Sequence, residues 1–108
     1  RPMSIRKDLK DFENKLFIAQ VTGKVDKFAF ETVKKKLDKA NNLVERYISR
    51  DIDMIQFNSE LIKLNDDFVD FCAIASKGTI LKQLLMELTT AIIDYSRFNL
   101  NTIQLLNE

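Results

Sequence analysis

The sequence predicts an all-α protein, an antiparallel bundle of four to five helices. Apolar residues recur at spacings of three and four in four long stretches of the 108-residue chain, which places them on one face of a helix in each stretch. Only two glycines and one proline interrupt the chain, so few positions oppose helix formation. No segment alternates polar and apolar residues for long enough to predict a strand. Short connections between consecutive helices favour antiparallel neighbours.

The first two helices are predicted over residues 4–21 and about 27–49. Gly23 is expected to end the first helix, because glycine adopts positive φ without strain. Asp26 is expected to cap the second, because its carboxylate accepts a hydrogen bond from a free backbone N–H of the first turn. The apolar stripes of the two helices are Ile5, Leu9, Phe12, Leu16 and Ala19, and then Phe30, Val33, Leu37, Ala40, Val44 and Tyr47.

The third helix has the most regular stripe in the chain. Asp51 and Asp53 are expected in its first turn, where negative charge is stabilised by the positive end of the helix dipole. A glycine, Gly78, follows its last apolar residue and is typical of a helix stop. The stripe consists of Met54, Phe57, Leu61, Leu64, Phe68, Phe71 and Ala75.

The fourth helix is predicted from Thr79, its N-cap, to about Phe98. The segment Asn99-Leu100-Asn101 then predicts a break, because asparagine side chains compete for backbone hydrogen bonds. Residues 102–108 are expected to begin a short fifth helix. Together these segments predict a single helical-bundle domain over residues 1–108. Because the sequence starts at Arg1 rather than at a methionine, we expect the chain to be a fragment of a longer protein.

The side chains that carry most enzyme chemistry are scarce. The chain has no histidine, which excludes Ser-His-Asp and Cys-His nucleophilic arrangements within it. Cys72 is the only cysteine, so no internal disulfide forms, and we expect a buried, inert thiol. We therefore predict no catalytic residue, no cofactor and no enzyme activity. With nothing that indicates an oxidising compartment, the expected location is cytoplasmic.

Each of two clusters of charged residues can be interpreted either as a binding site or as an ordinary solvated surface. Asp66 and Asp70 share a helix face and have the oxygen ligands that a hard cation prefers, but such pairs are common on solvated faces, so we predict no metal site. The run Lys34-Lys35-Lys36 has carboxylates interleaved around it. That pattern favours a charge-paired, solvated surface over direct nucleic-acid binding. No apolar stretch is long enough to span a bilayer, so no membrane contact is predicted.

Apolar residues cover more of the fourth helix than one face requires. A helix of this kind is typically central in a bundle or in contact with another chain, and Leu85, Met86 and Ile93 are the interface candidates. Tyr47, Tyr95 and Arg97 are candidates for a ligand pocket, since each joins an apolar stem to a polar tip. Residues 1–50 carry a net charge of +6 and residues 51–108 a net charge of −5, from 13 basic and 7 acidic against 4 basic and 9 acidic side chains. The predicted function is a non-enzymatic helical module that acts by protein–protein contact or as a homodimer.

A family resemblance supplies the alternative function. The segments Leu64-Asn65-Asp66-Asp67-Phe68-Val69, Ala75-Ser76-Lys77-Gly78 and Leu81-Lys82-Gln83-Leu84-Leu85 resemble the helical effector-binding and dimerisation (FCD-type) domain of GntR-family transcription regulators. The resemblance implies a ligand-sensing domain fused to a DNA-binding domain. Many members bind a metal through an acidic residue and a histidine four positions on. Those positions here are Asn65 and Val69, so the resemblance implies a domain without that metal site.

Overall fold

The computed structural model describes residues 2–107 and the side chains of residues 4–107. Four α-helices follow one another along the chain: α1 (Pro2–Val21), α2 (Lys27–Ile48), α3 (Met54–Ile74) and α4 (Ile80–Leu106). Residues 2–107 contain no strand. The predicted all-α fold is confirmed.

Each helix packs against two others, in the order α1–α2–α3–α4 and back to α1. Within residues 2–107, the backbones of the two diagonal pairs, α1 with α3 and α2 with α4, are not in close contact. Because the connections are only about five residues long, consecutive helices run antiparallel. The result is a square up-and-down bundle with dimensions of 50 × 25 × 18 Å.

The helix ends follow local chemistry. Gly23 has φ +78° and lets Lys24 N–H donate to Ala19 O at 2.8 Å, which closes α1. The side chain of Asp26 accepts from Ala29 N–H at 2.7 Å, and Thr79 accepts from Lys82 N–H at 3.3 Å. These caps are the predicted ones.

The start of α3 differs from the prediction. Asp53 lies outside the first turn as the N-cap, and its carboxylate accepts from Gln56 N–H at 2.8 Å. Asp51 lies in the connection, and its N–H donates to Arg46 O at 2.9 Å. The chain reverses at Arg50, which has φ +67°, so the helix cannot start before the two aspartates.

The predicted break at Asn99 is wrong, because α4 runs uninterrupted to Leu106. Asn99 is 1% exposed and faces into the bundle. Its Nδ2 donates to Asn58 Oδ1 of α3 at 3.2 Å, so the side chain has a tertiary partner and does not compete with the helix backbone. The bundle therefore has four helices within residues 2–107, and no fifth.

The core contains the residues that the stripes predicted. Phe12 and Phe68 meet edge-to-face, with ring centroids 6.5 Å apart, and join the diagonal pair α1 and α3. The side chains that are 2% exposed or less include Ile5, Leu9, Leu16, Val33, Leu37, Ala40, Val44, Phe57, Leu61, Phe68, Leu85 and Ile92.

Candidate functional site

The two candidate pocket tyrosines meet around one core phenylalanine. Tyr47 stacks on Phe57 with centroids 4.3 Å apart, and Tyr95 contacts the same ring edge-to-face at 6.1 Å. The Phe57 ring fills the space between them. Burial raises the pKa of the Tyr47 hydroxyl, which keeps it neutral. Arg97 is exposed on the outer surface of α4, so the structure brings only two of the three candidates together.

The three interface candidates on α4 are not equivalent. Leu85 is fully buried in the core, so it presents nothing to a partner. Met86 is 55% exposed and Ile93 is 37% exposed. The excess apolar arc of α4 therefore reaches the surface at Met86 and Ile93.

Direct contacts fix how α3 and α4 lie against each other. Asn58 Nδ2 donates to Ser96 O at 3.3 Å, and towards the other end Lys82 Nζ donates to Cys72 O at 2.8 Å. Ile62 lies four residues after Asn58, and Ile93 lies three residues before Ser96. In an antiparallel pair, these two isoleucines lie at the same level along the bundle.

Six exposed apolar residues on the outside of the α3–α4 pair form three pairs. In each pair, one residue of α3 and one of α4 lie at the same height along the bundle, which we call a level. Ile55, Ile62 and Val69 follow one another at intervals of seven along α3, as do Met86, Ile93 and Leu100 along α4. A seven-residue interval keeps side chains on nearly the same side of a helix. The levels are Ile55 with Leu100, Ile62 with Ile93, and Val69 with Met86. Their exposed fractions lie between 37% and 60%. We call these six residues the α3/α4 face.

Beneath this face the α3–α4 contact includes a row of polar side chains. The buried polar side chains within residues 4–107 all belong to α3 or α4, and we call them the polar seam: Asn58, Asn65, Thr89, Ser96 and Asn99. Asn58 and Asn65 each lie three residues after an isoleucine of the face, and Thr89 and Ser96 three after Met86 and Ile93. Oδ1 of Asn65 has no hydrogen-bond partner among the described residues. Along this edge of the α3–α4 pair, next to the apolar core, polar groups are buried while apolar groups are exposed.

The lysine run of α2 is largely neutralised by carboxylates of the same chain. Lys34 pairs with Asp38 and, at 3.2 Å, with Glu13 of α1. Hydrogen bonding to Asp38 and then to Glu13 raises the pKa of Lys34. Lys36 pairs with Asp67 of α3 at 3.0 Å. The charge-paired interpretation of this surface accounts for these contacts.

The opposite charges of the two chain halves also meet within the bundle. Lys15 of α1 lies 3.7 Å from Glu87 of α4, and Arg46 of α2 lies 3.7 Å from Glu60 of α3. Within the described residues, no three cysteine, aspartate or glutamate side chains converge closely enough to hold a metal ion. None of the helices described is long and apolar enough to cross a membrane.

Sequence reasoning missed four of the six residues of the α3/α4 face. Ile55, Ile62 and Val69 lie outside the main stripe of α3, which is the stripe that builds the core. Their seven-residue spacing was the available signal, and Leu100 was assigned to a break. Pairing the two series requires the register of α3 against α4, which only the structure supplies. Comparison of the chain with family models, with curated proteins and with solved structures found no match in any of the three.

Proposed function

We propose that this chain is a non-enzymatic helical interaction module that self-associates through the α3/α4 face. The observation that carries the proposal is the burial pattern along one edge of the α3–α4 pair, where six apolar side chains are exposed above a seam of buried polar groups. Covering each aliphatic side chain of the face removes apolar surface from water and stabilises an assembly. Scattered exposed apolar residues need no partner, but a contiguous patch typically marks an interaction site.

The size of the face is that of a weak, reversible contact. The first and last residues of the face on each helix are 14 positions apart, which is about 21 Å along the helix axis. Two helices side by side are about 20 Å wide, so the face covers roughly 400 Å² on one copy. Two copies bury roughly 800 Å² through these footprints, and the flanking residues bring the total to the lower end of specific interfaces, about 1,200 Å². We expect a dimer with a micromolar Kd.

The two charges beside the centre of the face favour a second copy of this chain as the occupant. Asp66 lies one turn after Ile62 on α3, and Arg97 lies one turn after Ile93 on α4. Because the helices are antiparallel, the charges lie on opposite sides of the central level. A two-fold axis in the plane of the contact can bring Asp66 of each copy to Arg97 of the other. Neither side chain forms an ion pair within 4.0 Å among the described residues.

Sedimentation equilibrium of the wild-type chain and of Ile62→Arg tests the proposal. Ile62 is 39% exposed, and covering that fraction in both copies contributes about 1–2 kcal/mol to the dimer. Losing it raises the Kd at least about fivefold, before the cost of placing two arginines in the contact. Ile18→Arg is the matched control, since Ile18 is 59% exposed on α1. A wild-type chain that stays monomeric to about 1 mM, or equal effects of the two variants, would refute self-association through this face.

The alternative, a ligand-sensing domain of a GntR-like regulator, stays a prediction. None of the comparisons bears on it, and no contact among the described residues favours it over the interaction module.

A further inference from the structure

A second surface lies between α2 and α3, away from the α3/α4 face. At the end of the bundle near the α1–α2 connection it is an apolar groove of about 380 Å³. Phe28 and Ile74 form its rims and are 80% and 83% exposed, the two highest values among the large apolar side chains described. Val33 and Phe71 lie on its floor. This volume lies in the range of ligand sites, about 300–1,000 Å³.

The groove continues along the two helices and becomes cationic. Phe28 and Phe71 also line the next part of the surface, together with Lys35 and Lys39. Beyond it, lysines and an arginine of α2 meet α3 around a further depression of about 380 Å³. From Phe28 to Arg46 the surface extends about 27 Å, at 1.5 Å per residue. We call the whole surface the α2/α3 groove.

Three cations in the cationic part of this groove have no carboxylate of their own. Lys36 pairs with Asp67, and Arg46 with Glu60. Lys35, Lys39 and Lys63 form no ion pair within 4.0 Å among the described residues. Their charges are therefore available to a ligand.

We infer that the α2/α3 groove binds an acidic peptide segment that carries an apolar anchor at one end. The apolar end, with a volume of about 380 Å³, has room for one or two large apolar side chains. The unpaired lysines complement carboxylates spaced along the rest of the segment. Asp38, Glu60 and Asp67 lie among the cations, and they repel the continuous charge of a nucleic-acid backbone more than they repel separate carboxylates. The inference does not depend on self-association.

The probe is selected from a random peptide library displayed on phage. Its peptides have about 18 residues, which match the length of the groove when they are helical. The selected peptides should combine one aromatic or large aliphatic residue with aspartates and glutamates on one side of it. Their affinity, measured by fluorescence anisotropy, should fall about tenfold for the double variant Lys35→Glu/Lys39→Glu and also for Phe28→Ser. Added salt should weaken binding.

The controls carry the same substitutions on α1, as Lys7→Glu/Lys10→Glu and Phe17→Ser, and should bind like the wild type. Circular dichroism checks that each variant folds, and all six substitutions in the four variants are on exposed side chains. Selected peptides without acidic enrichment, or equal binding by the groove and control variants, would overturn the inference. So would displacement of the peptide by a single-stranded oligonucleotide at lower concentration than by unlabelled peptide. Retained binding in Ile62→Arg separates this site from the α3/α4 face.

Discussion

Exchanging the two charges beside the centre of the α3/α4 face tests the geometry of self-association most directly. A two-fold dimer contains the contact between Asp66 and Arg97 twice. An exposed ion pair contributes about 0.2–1 kcal/mol, and two like charges repel by a similar amount. Asp66→Arg therefore changes each contact by about 0.4–2 kcal/mol and the dimer by about 1–4 kcal/mol. Its Kd should rise at least about fivefold, and Arg97→Asp should behave in the same way.

The double variant Asp66→Arg/Arg97→Asp restores opposite charges in both contacts. Its Kd, measured by sedimentation equilibrium at low ionic strength, should return to within about threefold of the wild type. High salt should shrink the differences among all three variants, because exposed charges are screened. Asp11→Arg on α1 is the control for the change of net charge. A double variant as weakly associated as either single variant would refute the two-fold arrangement, since that arrangement requires the two positions to meet across copies.

Two further predictions concern stability. Asn58→Ala removes the acceptor of Asn99 Nδ2 inside the bundle, so the free energy of unfolding by urea should fall by about 1–3 kcal/mol. Asn58→Leu/Asn99→Leu removes both polar groups and should recover most of that loss, and a double variant as unstable as Asn58→Ala would contradict the interpretation. Stability should also fall as the pH rises above about 10, because folding raises the pKa of Lys34 from 10.5 and of Tyr47 from 10.0, so the folded chain keeps protons that the unfolded chain releases. Urea titrations between about pH 8 and pH 11 should show a shallower decline in Lys34→Met and Tyr47→Phe than in the wild type, and an unchanged decline would refute this assignment.

Most of the bundle can be predicted from the sequence because its information is local. Asp26 and Thr79 cap helices through hydrogen bonds to backbone groups three residues away. Each core stripe is a property of one helix. With connections of about five residues, chain order then nearly determines which helices are neighbours.

The errors occur where a distant residue changes a local preference. Asn99 favours a break on its own, but Asn58, 41 positions earlier, supplies its hydrogen-bond partner and keeps α4 continuous. The interface candidate Leu85 was wrong for the same reason, because distant residues determine whether it is buried. Counting apolar residues on α4 gave Leu85 and Met86 equal weight, although the bundle buries the first and exposes the second. Which side of a wide apolar arc is covered depends on where the neighbouring helices lie.

The polar seam and the α3/α4 face are two consequences of one rotational setting of α4 against α3. Rotating α4 so that Met86 and Ile93 moved inward would turn the buried side chains of Leu84 and Tyr95 outward on the opposite edge of the helix. It would also change the positions of Ser96 and Asn99 relative to Asn58 and break their hydrogen bonds. A buried amide left without a partner costs about 1–3 kcal/mol, comparable to the gain from covering one aliphatic side chain. Asn58 and Asn99 therefore oppose that rotation, in the way that a single buried asparagine fixes the register of a coiled coil. Seen in this way, the seam contributes less to total stability than to keeping six apolar side chains on the surface, where a second copy can reach them.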